Sequence, residues 1–414
     1  MQLSEHLFRH ESGRLVAALT RIFGVQNLAL AEDVVQDAFC RALEVWKVRG
    51  VPDNPSAWLM AVAKHRALDI VRRERTARTF APDVSRMLES EWTLVPAIED
   101  AFAMSSIRDE QLRMMFSCCD PALAEEVQVA LVLNILCGFG AAEIASAFLT
   151  SRAAIEKRIS RGKKILAQSQ LLFDLGDAAF APRLSAVRRA LYLLFSEGYH
   201  GSSEATVQQE LCGEAMRLTM LLIEAPMAAV PETHALAALM YLQAARLPTR
   251  LDASGDLSPL LEQDRSRWDA QLVERGLWLL DSAATGDDVS AYHVEAAIAA
   301  AHATARSVDE TDWKAIVGLY DRLMAIAPSP VVELNRAIAI GQRDGPERGL
   351  EALRSLSDAS RLERYPFYPA AIGELESRRG NVETARRYFK SAAALARSPM
   401  ERRYLESRIR IVGT

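Results

Sequence analysis

Apolar residues recur along this chain at spacings of three and four, the period of helices that bury one face. Leu15, Leu19 and Ile22-Phe23 mark a first helix that closes near Gly24. Residues 30–46 carry a continuous stripe of Val34-Val35, Ala38-Phe39, Ala42-Leu43 and Trp46. Pro52-Asp53-Asn54-Pro55 breaks the chain, Ser56 starts the next helix, and Leu59, Ala63, Ala67 and Ile70 line its inner side. Further on come Asp109–Cys119, a stop at Asp120-Pro121, Ala122–Cys137 and Ala141–Leu149. A Leu149-Thr150-Ser151 turn follows, with Ser151 placed to cap a second helix that runs to Leu166. Alternating β-branched segments are rare, and glycine and proline fall between the periodic stretches, so the expected fold is all-α.

The polar faces of these helices differ in sign. Glu32, Asp33, Gln36 and Asp37 gather near the start of the 30–46 helix, where acids suit the helix dipole and where an acidic face could also dock a basic partner. Lys64, Arg66, Arg72, Arg73, Arg75 and Arg78 make the next helix basic, against Asp69 and Glu74. Arg152, Lys157, Arg158, Arg161, Lys163 and Lys164 lie within thirteen residues, opposed by Glu156. Ile155, Ile159 and Leu166 fall on one side of that last helix and Lys157, Arg161 and Lys164 on nearly the opposite side. Taken alone, it reads as either a recognition helix or a solvated amphipathic one. Trp58 is either core or a base-stacking residue. Between the two basic units, Pro82, Pro96, Asp83, Glu89, Glu91, Glu99 and Asp100 invert the charge and break the period, as a linker does. Two basic helical units on an acidic tether suit two patches on one nucleic acid.

Composition narrows the choice. The 414 residues are half hydrophobic and a quarter charged, enough for two to four folded domains. A net charge of −5 speaks against a general nucleic-acid coat and leaves DNA contact to local patches. Five cysteines, an odd number with no C-x-x-C pair, suit a reduced cytoplasmic protein and point to no metal site. The longest apolar run, Val127–Phe139, is interrupted by Gln128 and Asn134 and is too short to span a bilayer.

The ordered motifs resemble a known family. Residues 30–78 are similar to region 2, and residues 108–166 to region 4, of bacterial sigma factors of the extracytoplasmic-function (ECF) subfamily. AEDVVQDAF resembles the D-x-x-Q-x-x-F core-binding motif, NPSAWLMAVAKHRALDIVRRE the promoter-melting and −10 helix, and EIASAFLTSRAAIEKRISRGKKIL the −35 helix-turn-helix. LYLLFSEGY, DRSRWD, AAIAAAHA, TDWKAIVGLYDRL and SPVVELNRAIAI resemble the helical extension of one ECF group, which carries tetratricopeptide (TPR)-like repeats. The resemblance implies that Asp33, Gln36, Asp37 and Phe39 dock on the β′ clamp of core RNA polymerase, with the β flap a second contact. It implies that Lys64, Arg66, Arg72 and Arg73 face the −10 element, and that Arg152, Lys157, Arg158, Arg161 and Lys164 serve the −35 element. His65 stands where many members have Asn, and Cys118-Cys119-Asp120-Pro121 where the group often has Cys-Cys-His-Pro, which speaks against metal or redox sensing there.

Residues 171–414 hold no comparable basic cluster and no phosphate loop, G-x-S-x-G or H-E-x-x-H motif, so no catalytic residue, cofactor or metal is expected. His293 and His302, nine apart, read as structural. Tyr292, Trp313, Tyr320 and Asn335 read as core or as a pocket lining, and Leu251–Asp256 as a polar loop. Gly373, then Gly380-Asn381 with Ala385, Phe389 and Ala392, fits a TPR unit, and Gly345-Pro346 with Gly349 and Leu353 sits 36 residues earlier in matching register. Such repeats stack into a concave surface for a peptide or protein ligand.

The expected organisation is region 2 at 1–78, a linker at 79–106, region 4 at 107–170 and a TPR-like regulatory domain at 171–414. The expected function is a cytoplasmic sigma factor, with core polymerase and promoter DNA as partners, no membrane contact and no enzymatic activity. The alternative is a one-component helix-turn-helix regulator with a repeat-type sensor, independent of polymerase docking.

Overall fold

The computed structural model describes residues 2–24, 27–77, 104–120, 122–147, 150–168, 177–200, 205–252, 256–286, 288–396 and 399–412. Among these residues the fold is all-α, with one isolated antiparallel bridge, Leu251 to Leu257. Two compact units divide at Leu221/Leu222, inside a helix.

The first unit opens with α1 (Gln2–Phe23), α2 (Leu28–Arg49) and α3 (Pro55–Ala77). Ala31, Val34, Val35, Ala38, Ala42 and Trp46 of α2 are buried. The helix ends on Gly50, whose φ of 80° suits a residue without a side chain and whose N–H bonds Trp46 O at 3.0 Å. The cap of α3 is Asn54 rather than Ser56: Asn54 Oδ1 accepts from Ala57 N at 3.0 Å, and Pro55 takes the first helical position, where its missing N–H costs nothing. Ser56 is thereby free to donate to the buried Glu11 carboxylate at 3.0 Å. Trp58 packs on Trp46 with ring centroids 5.4 Å apart. The expected linker, 79–106, lies outside the described residues up to residue 103, and its last three residues open the next helix.

That helix is α4 (Met104–Cys118), followed by α5 (Glu125–Leu131) and a π-helical turn, Val132–Leu136. The sequence pattern predicts one helix over Ala122–Cys137; the helix starts instead at Glu125, and its closing turn is π-helical. The two polar residues in this apolar run tie its ends down. Gln128 Nε2 bonds the carbonyls of Asp120 and Leu123 at 3.0 and 2.8 Å, and Asn134 Nδ2 bonds Phe139 O at 2.9 Å. Next come α6 (Ala141–Ala147), α7 (Arg152–Gln168), α8 (Asp177–His200) and α9 (Ala205–Glu224). Helix α1 is the hub: it packs on α2, α3, α4 and the π turn. At the last contact Gly13 meets the Leu136 backbone so closely that a Cβ there would lie 1.9 Å from the carbonyl oxygen. Arg183 of α8 clasps the end of α4, bonding Phe116 O at 3.1 Å and Asp120 Oδ2 at 2.5 Å.

The second unit holds α10 (Pro231–Ala244), α11 (Ala270–Ala283), α12 (Ala291–Thr304), α13 (Trp313–Ile326), α14 (Pro330–Asp344), α15 (Pro346–Arg354), α16 (Phe367–Arg378), α17 (Val382–Leu395) and α18 (Pro399–Ile411). From α12 onward each helix packs on the next in sequence. Gly349 faces Gly341, and Gly373 faces Ala385 O and Phe389, so small residues set the close approach of both helix pairs. Ala385, Phe389 and Ala392 are buried, as are Gly349 and Leu353 in the earlier register.

Several of the other singled-out residues of this half make structural contacts, whereas Asn335 is exposed. Ser290 N donates to His293 Nδ1 at 3.1 Å, which leaves Nε2 to donate to Ala283 O at 3.3 Å. Trp313 and Tyr320 pack against the Val294–Ile316–Val317 core, and burial pushes the Tyr320 phenol up to about 12. The Asp264–Asp269 motif makes turns: Asp264 caps Ser266 N, Asp269 caps α11, and Arg265 bonds His302 O and Ala305 O at the end of α12.

Candidate nucleic-acid interface

The basic helix α7 begins where Ser151 predicts, with Ala154 N donating to Ser151 Oγ at 3.2 Å. Ile155, Ile159, Gly162 and Leu166 are buried. Gly162 lets α7 lie against α5, since a Cβ there would sit 2.8 Å from Leu131 Cδ1. A glycine inside a helix costs roughly 1 kcal/mol in propensity, and the tight packing offsets it. With that face fixed, Lys157, Arg161 and Lys164 stand exposed, and none of them forms an ion pair among the described residues. Arg152 pairs with Glu156 at 2.7 Å and Arg158 with Glu126 at 2.8 Å, both at the surface, where such pairs hold little energy. In front of α7, Glu143 Oε2 accepts from Gly140 N at 2.7 Å and caps α6. Two short helices with a buried seam and an outward cationic stripe can meet a phosphate backbone and a groove together.

The second basic helix is α3. Its Lys64 and Arg66 are half-exposed, whereas Arg72 and Arg73 lie on its last turns, their side chains outside the described residues. Arg66 Nε bonds Asp37 Oδ2 of α2 at 2.9 Å. Asp33, Gln36 and Asp37 are exposed on α2 at helical spacing, with Phe39 half-buried beneath. Leu43, 54% exposed, and Val48, 84% exposed, continue the outward side of this helix. Exposed apolar residues beside an acidic stripe suit a protein partner better than solvent.

One cross-link was not legible from the pattern. Lys163 of α7 bonds Glu32 of α2 at 2.6 Å, with both side chains about a quarter exposed. It fastens the two basic units of the sequence to each other, and residues 131 positions apart give no periodic signal. The Cys118 and Cys119 thiols are fully buried; burial pushes Cys118 up to about 12 and Cys119 well above the usual thiol range, so neither is a ready thiolate. No group of three or more His, Cys, Asp or Glu placed to hold a metal ion occurs among the described residues, nor does a helix long and apolar enough to cross a membrane.

Comparison with known proteins assigns these helices. Residues 7–77 match the family Sigma-70 region 2, and residues 113–166 match Sigma-70, region 4. The ECF RNA polymerase sigma factor SigX of Bacillus subtilis (strain 168) is 24% identical over 147 residues, 34% of this chain and 71% of its own length. The chain belongs to the sigma-70 family, as an ECF-type member. An uncharacterized protein of Rhizobium meliloti (strain 1021) is 38% identical over 398 residues, 95% of this chain and 92% of its own length. That similarity runs on through the additional C-terminal region. Residues 183–284 match a family of unknown function, DUF6596. No solved structure matches the chain. Regions 2 and 4 are non-catalytic transcription-factor domains.

Proposed function

We propose that the chain binds core RNA polymerase and directs it to specific promoters, with region 2 at 1–78, region 4 at 107–170, the segment 79–106 between them and residues 171–414 acting as a built-in regulator. In this reading the exposed face of α2, through Asp33, Gln36 and Asp37 with Phe39 packed behind, meets the β′ clamp, and region 4 also contacts the β flap. Lys64, Arg66, Arg72 and Arg73 serve the −10 element. Arg152, Lys157, Arg158 and Arg161 sit in or beside the −35 major groove, because residues early in a recognition helix reach base edges, while Lys164 binds phosphate.

The observation that carries this reading is the stripe Lys157–Arg161–Lys164, exposed and without ion pairs among the described residues, on the far side of a helix whose other face is locked by Ile155, Ile159 and Leu166. The helices from α12 onward, each packed on the next with glycines at two of the crossings, support a TPR-like solenoid, a form that offers a concave surface to a peptide or protein. The protein works in the cytoplasm, where its polymerase is.

Reconstitution tests the proposal. The purified chain is expected to co-elute with core polymerase and to give run-off transcripts from promoters found by mapping its chromosomal binding with polymerase. A chain that binds no core enzyme sinks it. A polymerase-independent regulator has no use for the α2 face, so Asp33→Arg with Asp37→Arg would leave its output unchanged; here the double change is expected to abolish transcription.

A further inference from the structure

Nothing above uses a cavity of about 300 Å³ in the second unit, at the small end of ligand pockets. Its apolar walls include Leu257, Leu261, Ile338, Phe367, Leu375 and Phe389, drawn from α14, α16, α17 and the loop that follows the Leu251–Leu257 bridge. Two ion pairs from α18 hold that loop in place: Arg403 Nε to Asp256 Oδ1 at 2.5 Å and Arg408 Nη1 to Glu262 Oε1 at 2.9 Å. The pocket wall is thus pinned rather than loose.

The polar groups lining it are few, and the charged ones are of one sign. Glu262 of the loop, Glu374 of α16 and the Tyr404 hydroxyl of α18 border the cavity together with the Gln342 amide. Arg408 bonds both carboxylates but does not itself line the cavity; its guanidinium lies over the Phe389 ring at 5.7 Å. Burial and the neighbouring Glu262 hold the Tyr404 phenol in its protonated form. Two carboxylates against one guanidinium leave a net negative charge at the edge of an apolar space. An anionic ligand would meet like charge there, and a neutral apolar one would leave the carboxylates unanswered.

We propose that this pocket binds a small amphiphilic amine, its apolar body between Ile338, Phe367 and Leu375 and its ammonium at Glu262 and Glu374. Binding stands on the pocket alone; that it modulates transcription rests on the regulatory role proposed for residues 171–414.

Isothermal titration of the full chain with 4-phenylbutylamine, 4-phenylbutan-1-ol and 4-phenylbutyrate tests it. Saturable one-to-one binding of the amine is expected, about tenfold weaker binding of the alcohol and none of the acid. Ala371→Phe, which fills the cavity, is expected to abolish amine binding, and Leu261→Lys, which tethers a cation at the wall, to do the same should the first variant fold poorly. Glu374→Gln is expected to bring amine and alcohol within about threefold of each other. No saturable binding, equal binding of amine and acid, or full affinity in a folded Ala371→Phe or Leu261→Lys variant overturns the proposal. The titration contains no polymerase, so a chain that drives run-off transcription yet ignores the amine refutes the pocket alone. A chain that binds the amine but starts no transcript supports the pocket and sinks the sigma-factor reading instead.

Discussion

Arg66 Nε donates to Asp37 Oδ2 at 2.9 Å, so one ion pair joins a side chain we propose for promoter DNA with one we propose for core polymerase. The two side chains are 39% and 54% exposed, and a pair so open to solvent is worth about 0–1 kcal/mol. Either partner can open it at little cost. Asp37→Asn is therefore expected to change stability by less than about 1 kcal/mol while weakening the complex with core polymerase. The exchange Asp37→Arg with Arg66→Asp keeps the pair and should keep the fold, yet is expected to lose transcription. A swapped protein that unfolds normally and still transcribes would show that the pair is merely structural.

The contact between α1 and the π turn gives a prediction whose sign is the test. In a helix interior, Gly→Ala ordinarily gains roughly 1 kcal/mol. At Gly13 the new methyl would fall 1.9 Å from Leu136 O, a backbone atom that cannot swing aside. Gly13→Ala is expected to destabilise by about 1–3 kcal/mol, as overpacking does. Urea unfolding of the variant beside the parent chain reads this directly. Stabilisation would mean that α1 does not lie on the Leu136 backbone in solution.

Lys157, Arg161 and Lys164 should separate by what each contacts. Lys164→Ala, at the proposed phosphate contact, is expected to weaken all promoters alike and to lower the slope of log affinity against log salt by about 0.9. Arg161→Ala, at the proposed base-edge contact, is expected to cost about 1–3 kcal/mol on the true −35 element and far less on a scrambled one. Titrating holoenzyme with both DNAs at several salt concentrations measures the two effects together. Equal losses on both sequences for Arg161→Ala would place it on the backbone.

Much of this architecture could be read ahead of the structure, because helices that bury one face write a period of 3.6 into the chain. Of the stripe that the spacing predicts, Val34, Val35, Ala38, Ala42 and Trp46 are buried while Phe39 is half-buried and Leu43 is exposed, and Ser151 caps the helix it precedes. What stayed hidden depends on pairs distant in sequence. The Lys163–Glu32 bond, the Gly13–Leu136 contact and the Glu262–Arg408–Glu374 cluster join segments whose meeting no local period encodes. The π turn was equally hidden, since Val132–Leu136 continues an apolar run that suits any helix. Gln128 and Asn134 broke that run visibly, but only the fold shows that they secure loop carbonyls.

His302 gives the second unit a dependence on pH. The ring is buried, edge-on to Trp313 at 5.4 Å, and Arg246 and Arg265 lie close by. Burial first, and then the two guanidinium groups, push its pKa down from 6.5 to about 3. The unfolded chain therefore takes up a proton below pH 6.5 that the folded chain refuses until about pH 3, and the unfolded state gains on acidification through that window. Stability is full above pH 6.5 and lost as pH falls towards 3; this one group removes about 2 kcal/mol between pH 7 and pH 5. His302→Phe keeps the ring against Trp313 and removes the titration. Its unfolding free energy is expected to fall less between pH 7 and pH 5 than that of the parent chain, by about the same 2 kcal/mol. Parallel pH profiles for the two proteins would mean that His302 titrates alike in both states and is not held neutral by its surroundings.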